Sequence, residues 1–483
     1  MTRAIKVRHL VAALVTALAL APPAAGADMD PGALPGADAT SAADALFAGG
    51  LAADTDPGPL PGADATSAAD ALLPGGLAAD ALASGALVAD PFSAADPGGA
   101  PFVAGAAAPG GPDWTGTWEA AASGTVPAPP GASLRNVVHT SVGGNALRVR
   151  ISNRLGTVPL QLSSLTVALQ KQDAPASPNA VAGSLRTATF DGAPSVRIPA
   201  GKDLVTDPVR LTVPAGANLL ISVHTPPDSG PATYHRSALQ TNFLARQGDH
   251  TRDVDGAAYT ATVGNWYYVT GVDVLGAPAA GSVVALGDSL TDGSGSTFGA
   301  NRRWPDRLAE RLRDEPQRRR LGVLNAGIAG NRVLRDGVGP SALSRLDADV
   351  LSRTGVRAVI VMEGINDIKG TPEQTDPAAF EDAFRRIVSR AHARGVRVIG
   401  ATITPYGGHV AYTETREAVR LAVNALIRTG GLFDEVVDFD AVVRDPARPH
   451  RILPAYDPGD HLHFNDAGMR ALADAVDPAS LVP

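Results

Sequence analysis

Between residues 281 and 483, short apolar runs alternate with longer amphipathic segments, and the pattern repeats five times. The apolar runs have the length of buried strands, and the segments between them have the spacing of surface helices. The runs are 282–287, 322–327, 357–364, 396–403 and 435–439, and the segments are 304–315, 341–353, 376–395, 413–431 and 465–476. Alternation of this kind favours an α/β fold, so we expect a parallel sheet with helices on both faces across 281–483.

One serine stands where such a sheet binds its ligands. Ligands lie in the crevice beyond the carboxyl ends of parallel strands. The first strand runs into "GDSL", which places Ser289 at that crevice. A serine in this position either caps the next helix or acts as a nucleophile, and its partners decide between the two.

An activated serine needs a base that takes its proton and usually an acid that orients the base. His463 lies after the fifth strand and before the last helix, and Asp460 stands three residues earlier. In such a loop the carboxylate can reach Nδ1 of the ring and leave Nε2 for the serine. His461 raises a second interpretation, a metal held by His-x-His and nearby aspartates, although no second histidine cluster completes that site.

A tetrahedral intermediate also needs hydrogen-bond donors for its oxyanion. Gly330 follows the second strand and offers a backbone N–H, and Asn366 follows the third strand and offers a side-chain amide. Glu363 and Asp367 flank Asn366, and we expect them to orient the loop rather than to react. Four strand ends would then supply a nucleophile, two donors and an acid–base pair to one crevice.

Together these residues resemble the SGNH/GDSL hydrolase superfamily, whose four motifs occur here in the family's order. They are Gly-Asp-Ser-Leu at 287–290, the glycine block at 325–330, Gly-x-Asn-Asp at 364–367 and Asp-x-x-His at 460–463. The chain has no Gly-x-Ser-x-Gly, which counts against an α/β-hydrolase nucleophile elbow. The resemblance covers the C-terminal region only.

The resemblance implies a flavodoxin-like, three-layer α/β/α domain with the activity of a serine esterase that uses neither metal nor cofactor. It implies that Ser289 is the nucleophile, His463 the general base and Asp460 the residue that orients the base. The oxyanion hole would consist of the Ser289 N–H, the Gly330 N–H and the Asn366 side chain.

Residues 113–276 have a different pattern, with period-two alternation and β-branched residues at 146–156, 159–170 and 209–225. We expect an antiparallel, jelly-roll-like β-sandwich. The segment 233–250 resembles one found in the β-domains of secreted enzymes related to acetylxylan esterases. The candidates for contact with the cleft are His235, Gln240 and Asn242 from this segment, and His409 from the rim. The alternative for the first three is a strand and turn that face water.

The first 112 residues divide into two segments of different composition. Residues 1–27 have a basic start, a short apolar core and "AGA", typical of a signal peptide, with a membrane anchor as the alternative. Residues 28–112 are rich in Ala, Gly, Pro and Asp and contain a 26-residue duplication, 29–54 and 55–80. We expect a disordered linker, or alternatively a spacing or wall-associating element.

These features predict a secreted serine ester hydrolase that removes short acyl groups from carbohydrate through an acyl-enzyme. A lipase or lysophospholipase is the alternative, although the loops 293–303 and 404–412 are polar and Gly-rich. A non-catalytic glycan-binding surface protein is a third interpretation, which four intact motifs disfavour. We expect a monomer whose partner is its ester substrate, acylated polysaccharide or lipid. We expect no stable membrane insertion, and no nucleic acid, since the net charge of −8 includes no basic excess.

Overall fold

The computed structural model describes residues 114–174 and 176–482. The predicted signal peptide (1–27) and linker (28–112) lie outside the described residues. The strands before residue 280 are β1 Trp114–Glu119, β2 Gly124–Val126, β3 Ser133–His139, β4 Ala146–Ser152, β5 Leu160–Leu162, β6 Ser164–Leu169, β7 Arg186–Thr187, β8 Val196–Ile198, β9 Asp203–Val205, β10 Asn218–His224, β11 Ala232–His235, β12 Asn242–Ala245, β13 Ala261–Val263, β14 Trp266–Tyr267 and β15 Val269–Leu275.

The remaining strands are β16 Gly281–Gly287, β17 Leu321–Gly327, β18 Val356–Met362, β19 Arg397–Ala401, β20 Glu435–Val437, β21 Arg444–Asp445 and β22 Arg448–Ile452. The α-helices are α1 Ser289–Asp292, α2 Trp304–Arg313, α3 Ala342–Leu346, α4 Ile365–Lys369, α5 Pro377–His392, α6 Glu414–Thr429, α7 Phe439–Val443 and α8 Asp466–Ala475. A π-helical turn, Asp347–Leu351, continues α3, and a 3₁₀ turn, Pro478–Leu481, follows α8. No helix among the described residues is long and apolar enough to cross a membrane.

The strands before residue 280 form antiparallel sheets, as the period-two pattern predicts. Their orders are β1-β15-β4-β9, β13-β12-β3-β10-β6-β7, β14-β11-β2 and β5-β8. In β4, Leu147, Val149 and Ile151 point into the core while Arg148 and Arg150 are only half-buried. An antiparallel β-rich region is therefore present, and its jelly-roll topology stays a prediction.

The C-terminal sheet is parallel throughout and has the strand order β17-β16-β18-β19-β20. This is the 2-1-3-4-5 order of flavodoxin-like folds, so the predicted α/β architecture is confirmed. Both faces of the sheet are covered, because Val284 and Leu286 of β16 belong to one hydrophobic core and Val283 and Ala285 to another. Burial on both faces explains the continuous apolar runs in the sequence.

Two details differ from the predicted pattern. The segment 341–353 does not form one regular helix, because α3 passes into a π-helical turn whose Asp349 is buried among arginines. In addition, α7 and the β21–β22 hairpin intervene between the fifth strand and the loop that carries His463. The chain therefore returns to the crevice from a hairpin and not directly from β20.

The β-rich region packs directly on the parallel sheet. The Ser141 hydroxyl accepts a hydrogen bond from the Val323 N–H in β17, at 2.9 Å. Arginine–carboxylate pairs also cross the interface, from Arg154 to Asp349 at 2.7 Å and from Glu119 to Arg353 at 2.7 Å. The two regions therefore share a polar interface.

Candidate active site

Ser289 begins α1 on a tight turn at the end of β16. Asp288 caps this helix, because its Oδ1 accepts a hydrogen bond from the Leu290 N–H at 3.0 Å. Gly287 is needed at the turn, since a Cβ there would collide with the side chain of Thr291. The turn brings the hydroxyl of Ser289 to the crevice, where the residue is only 7% exposed.

The structure brings the three predicted catalytic side chains together. Nε2 of His463 lies 2.9 Å from Oγ of Ser289. Nδ1 of the same ring lies 2.5 Å from Oδ2 of Asp460. This is the nucleophile–base–acid arrangement in which the imidazole takes the serine proton and the carboxylate fixes the ring's tautomer.

The carboxyl group of Asp460 stays ionised. Partial burial alone would raise the pKa of its carboxyl. The His463 ring and the backbone N–H groups of His463 and Leu462 outweigh that effect and hold the pKa of Asp460 well below its usual range. A carboxylate at every pH near neutrality therefore faces Nδ1 of the base.

The two predicted oxyanion donors differ in their surroundings. Gly330 has a φ of 83°, a backbone conformation that favours glycine, and within the described part of the chain its N–H has no acceptor. The Asn366 amide, by contrast, donates to the Asn331 carbonyl at 2.9 Å and to Oδ2 of Asp288 at 3.2 Å. A substrate oxyanion would therefore compete with Asp288 for the longer of these bonds.

The residues flanking Asn366 hold loops in place, as expected for Glu363 and Asp367. The Asp367 carboxylate accepts the N–H groups of Val333 and Leu334 at 2.8 and 3.0 Å. Glu363 is buried 3.5 Å from the guanidinium of Arg345. Sequence reasoning did not single out Arg345, which reads as one of several polar residues in a predicted amphipathic helix.

Of the predicted substrate contacts, His409 lies at the rim. Its Nδ1 accepts a hydrogen bond from the Ala411 N–H at 3.1 Å. Burial, followed by the nearby positive charge of Lys369, lowers the pKa of the His409 ring. A neutral ring with Nδ1 as acceptor carries its hydrogen on Nε2, which is a donor available to a polar substrate.

Three other candidates are buried. His235 is 3% exposed, and its ring nitrogens contact protein acceptors only. Gln240 is buried, and Asn242 bonds to the Val137 N–H and the Asn265 carbonyl inside the β-rich region. The alternative of a water-facing strand is wrong for them, because the packing of distant segments buries all three side chains.

His461, two residues before the predicted base His463, pairs with a different aspartate. Nδ1 of His461 lies 2.5 Å from Oδ2 of Asp457, in a second histidine–carboxylate pair. Across residues 114–174 and 176–482, no three His, Cys, Asp or Glu side chains are grouped so that they could hold a metal ion.

The Asp288 carboxyl gives the site a testable pH dependence. Burial raises the pKa of its carboxyl from 3.8 to about 6. A carboxyl whose pKa is higher in the folded state stabilises the fold at low pH, and this contribution is lost as the pH rises from about 4 to about 6. Asp288→Asn removes the titration. We expect the free energy of unfolding of the parent to fall by about 2 kcal/mol relative to the variant between pH 4 and 7.

Urea unfolding of both proteins at several pH values checks this expectation. The substitution also removes one hydrogen-bond acceptor, but that cost is the same at every pH. A difference in stability between parent and variant that does not change with pH would contradict the assigned pKa.

Comparisons with known proteins found one matching family and several similar solved structures. Residues 285–471 match the GDSL-like lipase/acylhydrolase family. No curated protein matches the chain. Among solved structures, an aryl esterase from Mycobacterium smegmatis is similar, with 19% identity over 42% of this chain and 99% of the other, and a TM-score of 0.34.

Two further structures have similar scores. An acetyl xylan esterase is 23% identical over 40% of this chain and 96% of its own, with a TM-score of 0.31. A carbohydrate acetylesterase from Sinorhizobium meliloti is 19% identical over 40% of this chain and 95% of its own, with a TM-score of 0.32. The family match covers all the strand ends and loops that form the crevice.

Proposed function

We propose that this chain is a serine ester hydrolase. Residues 285–471 match the GDSL-like lipase/acylhydrolase family, and membership of this family implies esterase activity. The single observation that carries the proposal is the contact of 2.9 Å between Nε2 of His463 and Oγ of Ser289. Ser289 attacks the ester carbonyl while His463 takes its proton. His463 then protonates the departing alcohol, and an acyl-enzyme remains on Ser289.

In the second half of the reaction, His463 takes a proton from water, which attacks the acyl group. The intermediate then collapses, His463 returns the proton to Oγ of Ser289, and the acid is released. Both tetrahedral intermediates carry an oxyanion, which the N–H groups of Ser289 and Gly330 and the amide of Asn366 would stabilise. Asp460 stabilises the imidazolium that forms in each half.

The proposed substrate is a short acyl ester on a carbohydrate. The rim supports this class because its side chains are polar: Gly408, next to His409, lies against the ring of His461, and His461 and His463 each pair with an aspartate. Donors and charges of this kind suit hydroxyl-rich sugars. Export fits the same substrate class, and residues 1–27 have the features of a signal peptide.

A lipid ester is the second candidate, and two side chains favour it. Phe298 is 52% exposed and Val410 is 95% exposed. Both stand on loops beside the catalytic segment, since the Thr297 N–H bonds to Asp466 at 2.8 Å and Gly408 packs against the ring of His461. Exposed apolar residues at a cleft mouth can bind an acyl chain or a lipid surface.

An ester panel tests the proposal and separates the two substrates. It includes p-nitrophenyl esters from acetate to palmitate, acetylated xylan and a lysophospholipid. Acetate release from xylan with a preference for short p-nitrophenyl esters supports the carbohydrate esterase. A preference for palmitate and lysophospholipid would replace it with the lipase. No hydrolysis of any ester would contradict both and favour a glycan-binding protein.

Asp460→Asn should lower kcat by about 10²- to 10⁴-fold while the fold is kept. The neutral asparagine amide cannot balance the positive charge of the His463 imidazolium. It can also donate a hydrogen bond to Nδ1 and so favour the wrong tautomer of the ring. Hydrolysis of p-nitrophenyl acetate measures the loss. The matched control is Asp457→Asn, because Asp457 pairs with His461 in the same loop at the same distance of 2.5 Å. Equal losses in the two variants would contradict the assigned role of Asp460.

A further inference from the structure

His235 lies at the end of β11, in the β-rich region, and its ring is surrounded by acceptors. Nδ1 lies 2.8 Å from the Ala121 carbonyl oxygen. Nε2 lies 3.1 Å from the Ser237 carbonyl oxygen and 3.1 Å from Oδ1 of Asp292. Since carbonyl and carboxylate oxygens only accept, both ring nitrogens must carry a hydrogen, and His235 is held as an imidazolium. Burial alone would lower the pKa of His235, but the Asp292 carboxylate raises it above its ordinary value.

Asp292 connects that imidazolium to the catalytic loops. It ends α1, the short helix that begins with Ser289, and it is 4% exposed. Its second oxygen, Oδ2, accepts the Ala329 N–H at 2.9 Å. Ala329 directly precedes Gly330, the predicted backbone donor of the oxyanion hole. One carboxylate therefore ties the nucleophile's helix to the loop that holds the oxyanion donor.

A buried carboxylate in this position needs a counter-charge. Burying an ionised group without a partner is costly, and the cost is relieved by pairing or by a shift toward the neutral form. Among the described residues, His235 is the only side chain that forms an ion pair with Asp292. Without this cation, the buried Asp292 side chain would lose the partner that fixes its orientation, and the Ala329 N–H would lose a positioned acceptor.

We propose that His235 is a positioning residue: the β-rich region uses it to hold Asp292, and Asp292 in turn holds the oxyanion loop at Ala329–Gly330 against Ser289. The inference rests on the proposed ester hydrolysis and adds to it a role for the N-terminal region. The β-rich region then contributes a residue that supports the catalytic centre. His235 touches neither substrate nor the reacting atoms in this arrangement.

The test compares His235→Gln with the parent on p-nitrophenyl acetate. Glutamine keeps a donor but not the charge. We expect kcat to fall by about 10²-fold, the effect of weakening one oxyanion donor, with KM changed by less than about threefold. The matched control is His139→Gln, since His139 lies in the same region and lines the same small cavity as His235. Its ring bonds to Asn218 and not to the catalytic loops, so its kcat should equal that of the parent.

A double-mutant cycle with Asp292→Asn tests whether His235 acts through Asp292. If His235 acts through Asp292, the double variant should be no slower than the slower single variant. Additive losses would overturn the proposal, as would a His235→Gln variant with the parent's kcat. Active-site titration separates misfolding from positioning: fewer titratable sites with an unchanged rate per site would also overturn it. A parent that hydrolyses no ester would instead contradict the proposed function itself.

Discussion

Ser289→Ala is expected to lower kcat/KM on short esters by at least about 10⁴-fold, because no acyl-enzyme can form without the hydroxyl. The loss should appear without unfolding. The side chain is small and its Oγ bonds only to His463 among the described residues, so no core packing depends on it. Hydrolysis of p-nitrophenyl acetate and thermal unfolding of the same preparation measure the two effects.

Ser294→Ala is the matched control. Ser294 lies in the turn directly after α1, and its N–H bonds to the Ser289 carbonyl at 3.0 Å. Its hydroxyl has no catalytic partner in the described structure, so the variant should keep the parent's activity within about twofold. Turnover by Ser289→Ala above a tenth of the parent's, or an equal loss in Ser294→Ala, would show that the nucleophile is assigned wrongly.

The second large effect concerns stability. Arg345 is buried in α3, with a side chain that is 1% exposed. It donates to the carbonyls of Gly287 and Ala326, at the ends of β16 and β17, at 3.0 and 2.6 Å. It also lies 3.4 Å from Asp349 and 3.5 Å from Glu363. Arg345→Ala leaves two carboxylates and two strand-end carbonyls without this cation, so we expect a loss of about 3–5 kcal/mol in the free energy of unfolding.

Urea unfolding of the parent and of two variants tests this expectation. Arg385→Ala provides the comparison, because Arg385 pairs with Glu381 at 2.6 Å on an exposed helix face, where its side chain is 58% exposed. A surface pair of this kind contributes at most about 1 kcal/mol. Similar stabilities of the two variants would mean that the buried charges around Arg345 do not support the strand ends.

The sequence allowed the parallel sheet and the crevice to be predicted because both depend on local signals. Strands buried on both faces need continuous apolar runs, and helices that cover them need an amphipathic period. Ser289, Gly330 and Asn366 each follow such a run, so their common location follows from the topology alone.

Other features depend on contacts between distant segments and have no local signal. The pattern around His235 is that of an ordinary strand, and only the packing of β11 on α1 shows that Asp292 is its partner. The same holds for Glu119, which lies in a strand of the β-rich region and pairs with Arg353 beyond α3. A sequence pattern tells which face of a strand is buried but not what covers it.

The most direct test of the central claim is to label the nucleophile covalently. The protein is incubated with an organophosphorus fluoridate, whose phosphorus is attacked by an activated serine hydroxyl with loss of fluoride, and peptide mass spectrometry then locates the adduct. We predict one adduct per chain, on Ser289, with activity lost in proportion to labelling and no labelling in Ser289→Ala. An active protein that stays unlabelled, or an adduct on another residue that accounts for the inactivation, would contradict a Ser289 acyl-enzyme.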